Sequence, residues 1–522
     1  MKKRFNTTGA CTPEKHYMVD ISNKIDQIMD MIDNGDYFVI DRPRQYGKTT
    51  TINVLNRRLK KSEDYFSIKI SFEGIGEEGF KSVGIFIEEF FLQLKKAFKS
   101  SGNEDLINFI ETNPIPDRFS KLDLWVGDLV RKNGKKIVLM IDEIDKSTNN
   151  QLFLDFLGML RNKYLMRDDE GQPTFHSVIL VGVHDVKNLK LKLRPEAETK
   201  YNSPWNIAVD FNVDLSFSPI EIESMLGDYV KEQNVAMDVP LIAKRLFYFT
   251  SGYPFLVSHL CKIIDEKMLG NRIPKEWKPE DIDKAVQISV KQKNTNSENL
   301  IKNLENNPDL YDFIFKMIIG GVEFSYNPDQ PVIEFGSLHG IIKEENGKVK
   351  VHNRIYEQRI YNYMASGMEI TGGIHDFTGK YIDEKGILDI EKILCKFQEF
   401  MKEQYNKKDN DFIERNGRLL FLAFIKPIIN GRGFDFKEVQ ISEEKRLDVV
   451  ITFDNRKTII ELKIWRGETY HQEGIRQLGD YLDRQNQSNG YLLIFDLRKE
   501  SGRIGKMETI ETQGKTILAA WT

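Results

Sequence analysis

Two periodicities alternate along the first third of the chain. Apolar residues at helical spacing (Ile21, Ile25, Ile28, Met29, Ile32) predict a helix that stops at Asn34-Gly35. The continuous apolar run Tyr37-Phe-Val-Ile40 then predicts a buried strand. Helical patterns over Thr50–Lys60, Ser82–Lys99, Phe119–Lys132 and Leu152–Tyr164 are interleaved with apolar runs at Tyr65–Phe72, Lys135–Asp145 and Ser177–Val183. Alternation of strand and helix in this way predicts a parallel α/β sheet. From Pro219 to Asp265 the pattern is helical, broken sharply at Thr250-Ser-Gly-Tyr-Pro254, as in a helical lid behind such a sheet. Helices around Leu310–Ile319 and short strands at Gly340–Glu344 and Lys348–His352, turning at Asn346-Gly347, form a winged-helix-like pattern. Such a module binds DNA or acts as a spacer.

The glycine-rich, weakly periodic stretch Ser366–Lys380 predicts a domain boundary. The expected organisation is a P-loop core over 1–215, a helical lid over 216–300, a spacer over 301–365, a linker over 366–380 and a further α/β domain over 381–522. A length of 522 residues with 40% hydrophobic composition supports about three such cores. The 75 basic and 79 acidic residues leave a net charge of −4, so no global field draws the protein to nucleic acid or membrane. Cys11, Cys261 and Cys395 are far apart and form no metal-binding spacing, which suits reduced thiols in a cytoplasmic setting. The basic N-terminus has no apolar stretch behind it and does not read as a secretory signal. The apolar run Leu419–Ile429 is too short to cross a membrane and contains Lys426.

Chemistry concentrates first at Asp41-Arg-Pro-Arg-Gln-Tyr-Gly-Lys-Thr-Thr-Thr51, between a strand and a helix. In a phosphate-binding loop, backbone N–H groups and a helix N-terminus surround the phosphates, a lysine reaches the terminal ones, and the next hydroxyl holds Mg²⁺. Here Arg44, Gly47, Lys48, Thr49 and Thr50 are the candidate contacts to ATP. The usual pattern begins with a glycine, and Arg42 stands in its place. The run Lys135–Asp145 ends in Asp142 and Glu143, a strand delivering acids to its C-terminal edge. Asp142 is the candidate to hold Mg²⁺ and Glu143 to polarise the attacking water. His184, at the end of the Ser177–Val183 strand, is either a γ-phosphate sensor or a hydrogen-bonded structural residue. The basic strip Lys187–Arg194 meets phosphate or forms a solvated face, and Arg161, Arg167 and Arg194 are equivalent candidates for an arginine acting in trans in a homo-oligomer.

A second constellation lies near the C-terminus. Arg446–Phe453 and Lys457–Trp465 read as a hairpin turning at Asn455, with Glu461 and Lys463 on one strand face and Asp448 able to pair beside them. Two carboxylates and the Leu462 carbonyl form an oxygen site suited to Mg²⁺ or Mn²⁺, with Lys463 placed to stabilise charge on a phosphate. An ordinary cross-strand Glu–Lys pair is the alternative.

The stretches LDVVITFDNRKTIIELKIWRG, EGIRQLGDYLDRQ and GYLLIFDL resemble the PD-(D/E)XK nuclease superfamily, in the group fused behind an AAA-ATPase-like domain. RPRQYGKTT, VLMIDEID and VGVHDVKNLK resemble that ATPase domain, in which arginine at the Arg42 position is common. The resemblance implies that Asp448 and Glu461 are metal ligands, Lys463 the catalytic lysine and Gln477 an auxiliary contact. Glu414 would be a further metal ligand, with Glu438 as its alternative. It implies a nuclease core of a helix, three antiparallel strands, a helix and a fourth strand at Tyr491–Leu497. The function expected is an ATP-controlled, metal-dependent nuclease acting on nucleic acid, DNA before RNA, with a role in defence or mobile-element biology. The alternative is an ATP-switched regulatory or scaffold protein whose nuclease fold only binds a partner.

Overall fold

A computed structural model describes the chain apart from residues 1, 147–149, 170, 184–204, 271–272, 319–323, 371–380, 382–386, 405–420, 422–423, 426–432, 438–448, 454–455, 485–486 and 499–501. Packing divides it into two compact units, Met1–Asn303 with Tyr326–Glu357, and Leu304–Ser325 with Gln358–Thr522.

The first unit is built on β1 (Tyr37–Asp41), β2 (Tyr65–Ser71), β3 (Lys136–Asp142) and β4 (Ser177–Gly182), in the order β1-β4-β3-β2. All three pairings are parallel, as the strand–helix alternation predicts. The free side of β1 carries a further parallel bridge, Phe38 to Val209. The connections run through α2 (Lys48–Leu59), α3 (Val83–Ser101), α4 (Glu104–Thr112), α5 (Phe119–Asn133) and α6 (Gln151–Asp169), after an initial α1 (Ser22–Asp33). The helical spacing of Phe86, Phe90 and Leu94 on α3 and of Phe153, Phe156 and Leu160 on α6 turns these residues into one core with Ile68, Leu139 and Leu180 of the strands. That core leaves the C-terminal strand ends, with their polar residues, as the edge on which a site can form.

Behind the sheet come α7 (Pro219–Gln233), α8 (Val239–Thr250), α9 (Pro254–Ile263) and α10 (Pro279–Lys291), a helical lid. Ser218 and Glu221 form a reciprocal cap at the start of α7, with Pro219 in the first turn. The break between α8 and α9 needs glycine: Gly252 has φ +72°, and a Cβ there would lie 2.1 Å from the Phe217 carbonyl oxygen. Pro254 then opens α9. Next in the chain are α11 (Thr295–Glu305), α12 (Pro308–Ile318) and α13 (Pro331–Leu338). The hairpin β5 (Ile342–Glu345) and β6 (Lys348–Val351) turns at Asn346 and Gly347, both at positive φ. The helix α14 (Arg354–Ile370) follows.

The second unit contains α15 (Ile390–Gln404) and a mixed sheet of β7 (Gly433–Lys437), β8 (Val449–Phe453), β9 (Arg456–Ile464), β10 (Asn489–Phe495), β11 (Met507–Thr512) and β12 (Lys515–Trp521). Its order is β11-β12-β10-β9-β8-β7. Strands β7, β8 and β9 form an antiparallel meander, and β10 joins β9 in parallel after α16 (Glu468–Arg484). The hairpin β11–β12, which the sequence reading did not anticipate, extends the sheet beyond β10. Alternation along β9 sends Ile460 and Leu462 into a core with Phe397 of α15. Ile459 goes to the opposite core, with Ile475 and Leu478 of α16.

Candidate functional site

The loop after β1 explains why it manages without its first glycine. Positive φ falls at Gln45 (+60°) and Gly47 (+84°), and Arg42 is not among the described residues with positive φ. A side chain is therefore tolerated at Arg42, and this one is used: its guanidinium donates to the carbonyls of Phe211 at 2.9 Å and Val213 at 3.0 Å, and lies 5.1 Å from the Phe211 ring centroid. The arginine ties the loop to the segment beside β1.

Gly47 caps α2, which begins at Lys48 rather than at the expected Thr50. The Lys48 ammonium donates to the carbonyls of Arg42 at 2.7 Å and Pro43 at 3.0 Å. Burial pulls its pKa below the usual lysine value, against the opposing pull of Asp145, Glu143 and Asp142. Three acids from the end of β3 thus face one lysine from the loop after β1.

Asp142 is 4% exposed. Burial raises its pKa, opposed first by the neighbouring Lys69 and then by the Glu143 N–H, by Lys48 and by the Thr49 side chain. The Glu143 N–H reaches Asp142 Oδ1 at 3.1 Å. Glu143 itself is solvent-exposed and holds a φ of +57°, an uncommon conformation for such a side chain. Desolvation and then the Asp142 charge raise its pKa. Asp145 accepts from the Val183 N–H at 2.6 Å and so fastens the end of β4 beside the acids. The hydroxyl of Thr49, at the start of α2, and the carboxylate of Asp142, at the end of β3, are hard oxygen donors of the kind that hold Mg²⁺.

A lysine and two hydroxyls opening a helix, with an acidic strand end two strands across the sheet, is the arrangement of a nucleoside-triphosphate site. A family described as "AAA-like domain" matches residues 12–362. The chain belongs to this AAA-like family. ATP binding is what membership implies. Solved structures similar to the chain include a Walker-type ATPase of Pyrococcus abyssi, at 14% identity and a TM-score of 0.48 over 68% of this chain and 99% of that one. The ORC2 protein of Aeropyrum pernix in ADPNP–ADP complexes has 12% identity and a TM-score of 0.41, over 70% of this chain and 99% of its own. The RuvB Holliday junction branch migration motor of Thermotoga maritima has 13% identity and a TM-score of 0.31, over 65% and 94% respectively. No curated protein matches. Among the described residues, no helix is long and apolar enough to cross a membrane.

Beside the AAA-like loop lies a cavity of about 490 Å³, lined by loop residues Gln45, Tyr46 and Gly47, by Thr50 and Thr51 of α2, by the N-terminal segment at Asn6–Gly9 and Tyr17–Val19, and by Pro254, Phe255 and His259 of α9. Thr50 accepts from the Cys11 N–H at 3.0 Å and so holds the N-terminal segment against α2. Nothing in the polar, aperiodic N-terminal sequence signalled this wall. Lys69 was also missed, although a lone lysine in an apolar strand, two residues before the one paired with Asp142, was a usable signal. Arg44 is exposed, and its carbonyl accepts from the Tyr253 hydroxyl of the lid at 2.6 Å.

Of the other AAA-like candidates, His184 and Arg194 lie outside the described residues. Arg161 is bonded to Asn206 at 2.8 Å. Arg167 donates to the Gly35 carbonyl at 2.8 Å, on the side where β1 begins, so it sits at the sheet edge opposite the loop.

In the second unit, Glu461 is 3% exposed and Lys463 Nζ stands 2.9 Å from its Oε1. Both lie on the β9 face turned to α16, where a Cβ on Gly474 would come within 3.5 Å of Lys463 Cε. Val449, which follows Asp448 in the sequence, pairs with Ile460. Asp448, Glu414 and Glu438 lie outside the described residues, and among the described ones no three His, Cys, Asp or Glu side chains are grouped to hold a metal. Gln477 lies on α16 one turn beyond Gly474, and its amide is bonded to Glu473 at 3.2 Å.

Proposed function

We propose that the protein is an Mg²⁺-dependent ATPase whose nucleotide cycle controls a metal-dependent nuclease in its C-terminal domain. The observation that carries the ATPase half is the Lys48 ammonium at the start of α2, faced by Asp145, Glu143 and Asp142 at the end of β3. In this reading the α2 N-terminus and Lys48 hold the phosphates, and Lys48 exchanges its bonds to the Arg42 and Pro43 carbonyls for phosphate oxygens. Thr49 and Asp142 hold Mg²⁺, which offsets phosphate charge when bound. Glu143, whose raised pKa makes it a better base, takes the proton of the attacking water. The cavity beside the loop takes the nucleoside.

The nuclease half rests on the sequence resemblance and on the close pairing of Glu461 with Lys463. Asp448 and Glu461, with Glu414 or Glu438, are the proposed ligands of Mg²⁺ or Mn²⁺, which would supply Lewis acidity toward a phosphodiester. Lys463 would stabilise charge on that phosphate. DNA is the proposed substrate, with residues 301–365 as a winged-helix-like spacer between the ATPase core and lid (1–215 and 216–300) and the nuclease domain (381–522). Assembly as a homo-oligomer belongs to the same proposal.

Cleavage of supercoiled plasmid, single-stranded DNA and RNA with Mg²⁺ or Mn²⁺, with and without ATP, tests both halves. Lys48→Ala is expected to abolish ATP binding, and Glu143→Gln to keep binding while slowing hydrolysis on the order of a hundredfold or more. Lys463→Ala is expected to abolish cleavage and leave ATP hydrolysis intact. Hydrolysis without cleavage of any substrate would instead favour the scaffold alternative.

A further inference from the structure

The cavity beside the phosphate loop has apolar walls, with Val19, Leu215, Phe217 and Phe255 among its lining residues. Such walls hold a flat aromatic base by contact alone and do not choose among bases. Choice requires polar groups, and two stand in the lining with an unusual property. The Oε1 of Gln45 and the Nε2 of His259 are both buried and have no hydrogen-bond partner among the described residues. Buried polar atoms in folded proteins are nearly always paired, so two orphans in the wall of one cavity call for a ligand that pairs them.

Their settings support the same conclusion. Gln45 is held at φ +60° in the loop itself, a conformation that few residues other than glycine adopt and that functional sites retain at a cost. His259 is one turn along α9 from Phe255, with the two rings stacked at 5.4 Å and 13°. The stack fixes the imidazole plane. Burial, reinforced by Lys267 and Lys262, lowers the His259 pKa to about 4, so at neutral pH the ring offers one donor and one acceptor and no charge. The orphan Gln45 atom is an acceptor only, which the oxygens of an ionised phosphate cannot pair, whereas the polar edge of a base carries both donors and acceptors.

We propose that Gln45 and His259 select the nucleotide by its base, pairing with the polar edge of a purine seated in the cavity. The inference rests on the ATP-binding reading above and adds the residues that decide which nucleoside triphosphate is taken. An unmet hydrogen bond at a buried polar group discriminates far better than a change in apolar shape.

The test is equilibrium binding of ATP, GTP, CTP and UTP, with 7-deaza-ATP and N6-methyl-ATP as edge-altered probes, to the full chain and to His259→Phe and Gln45→Leu. The wild type is expected to prefer one purine triphosphate. Each variant is expected to reduce that preference about tenfold, roughly one hydrogen bond in free energy, with a smaller effect on the disfavoured nucleotides. At least one altered-edge probe is expected to bind wild type as weakly as the variants bind ATP. Uniform weakening across all six nucleotides in both variants would overturn the inference, because a merely structural loss does not depend on the base. Equal binding of all nucleotides by the wild type would overturn it as well. If the wild type binds no nucleotide, the ATP reading itself fails, which is distinguished by comparison with Lys48→Ala. Should His259→Phe not fold, Gln45→Leu and the probe series on wild type carry the same decision.

Discussion

The hydroxyl of Tyr253, in the break between α8 and α9, donates to the backbone carbonyl of Arg44 in the phosphate loop at 2.6 Å. A lid residue thereby holds the peptide that must shape itself to the phosphates. The contact is reinforced by Tyr46, whose ring meets Tyr253 edge-on at 4.8 Å and whose hydroxyl is 3.3 Å from His352 Nε2. Under the ATP-binding proposal, this bond links nucleotide contact to lid position. Tyr253→Phe is expected to keep the aromatic packing, cost about 1 kcal/mol of stability, and speed nucleotide dissociation several-fold. Thermal melting and stopped-flow release of a fluorescent ATP analogue measure the two effects.

Restoring the textual motif should not improve the protein. Arg42→Gly gives the loop its usual first glycine but removes the bonds to the Phe211 and Val213 carbonyls. The expected outcome is destabilisation by about 1–3 kcal/mol with no gain in ATP affinity. Denaturant unfolding alongside ATP titration checks it, and a tighter-binding variant would show that the arginine is a handicap.

His352 is buried, and burial, assisted by the Lys343 charge, lowers its pKa to about 4. A histidine with a depressed folded-state pKa contributes stability above its unfolded value near 6.5 and loses it as pH falls toward the folded value. The loss at pH 5 is about 2 kcal/mol. Melting curves from pH 7.5 to 4.5 are expected to decline more steeply for wild type than for His352→Gln, whose side chain does not titrate.

In the second unit the buried Glu461 carboxylate and Lys463 depend unequally on each other. Lys463→Met strips the carboxylate of a charged neighbour at 2.9 Å. Glu461→Gln removes the buried charge itself. The lysine variant is expected to lose more stability than the glutamine variant, by about 1–2 kcal/mol. Added Mn²⁺ is expected to narrow the gap if Glu461 is a metal ligand. Melting with and without Mn²⁺ decides both points.

Much of the first unit was legible in the chain because its signals are local. The continuous apolar runs of β1, β3 and β4 and the helical spacing in α3 and α6 each reflect the surroundings of one element, and Gly-Lys-Thr and Asp-Glu are fixed by neighbours in sequence. The break at Gly252 was equally legible, since a glycine and a proline two residues apart end one helix and open the next. Less could be read where a residue's partner is distant. The use of Arg42 depends on the Phe211–Val213 carbonyls, and Lys69 matters only because β2 pairs with β3 and brings it to Asp142.

By itself, then, the sequence determined the parallel sheet, the phosphate loop, the acidic strand end and the face shared by Glu461 and Lys463, all of which follow from backbone periodicity and near neighbours. Only the tertiary structure decided that the aperiodic N-terminal segment walls a cavity beside the loop. It also decided that Tyr253 and His352 grip the loop and that the Gln45 Oε1 and His259 Nε2 are buried without a hydrogen-bond partner among the described residues. The physical reason is that burial and hydrogen-bond satisfaction are properties of the packed chain. A residue's own neighbours in sequence carry no record of which distant groups will surround it.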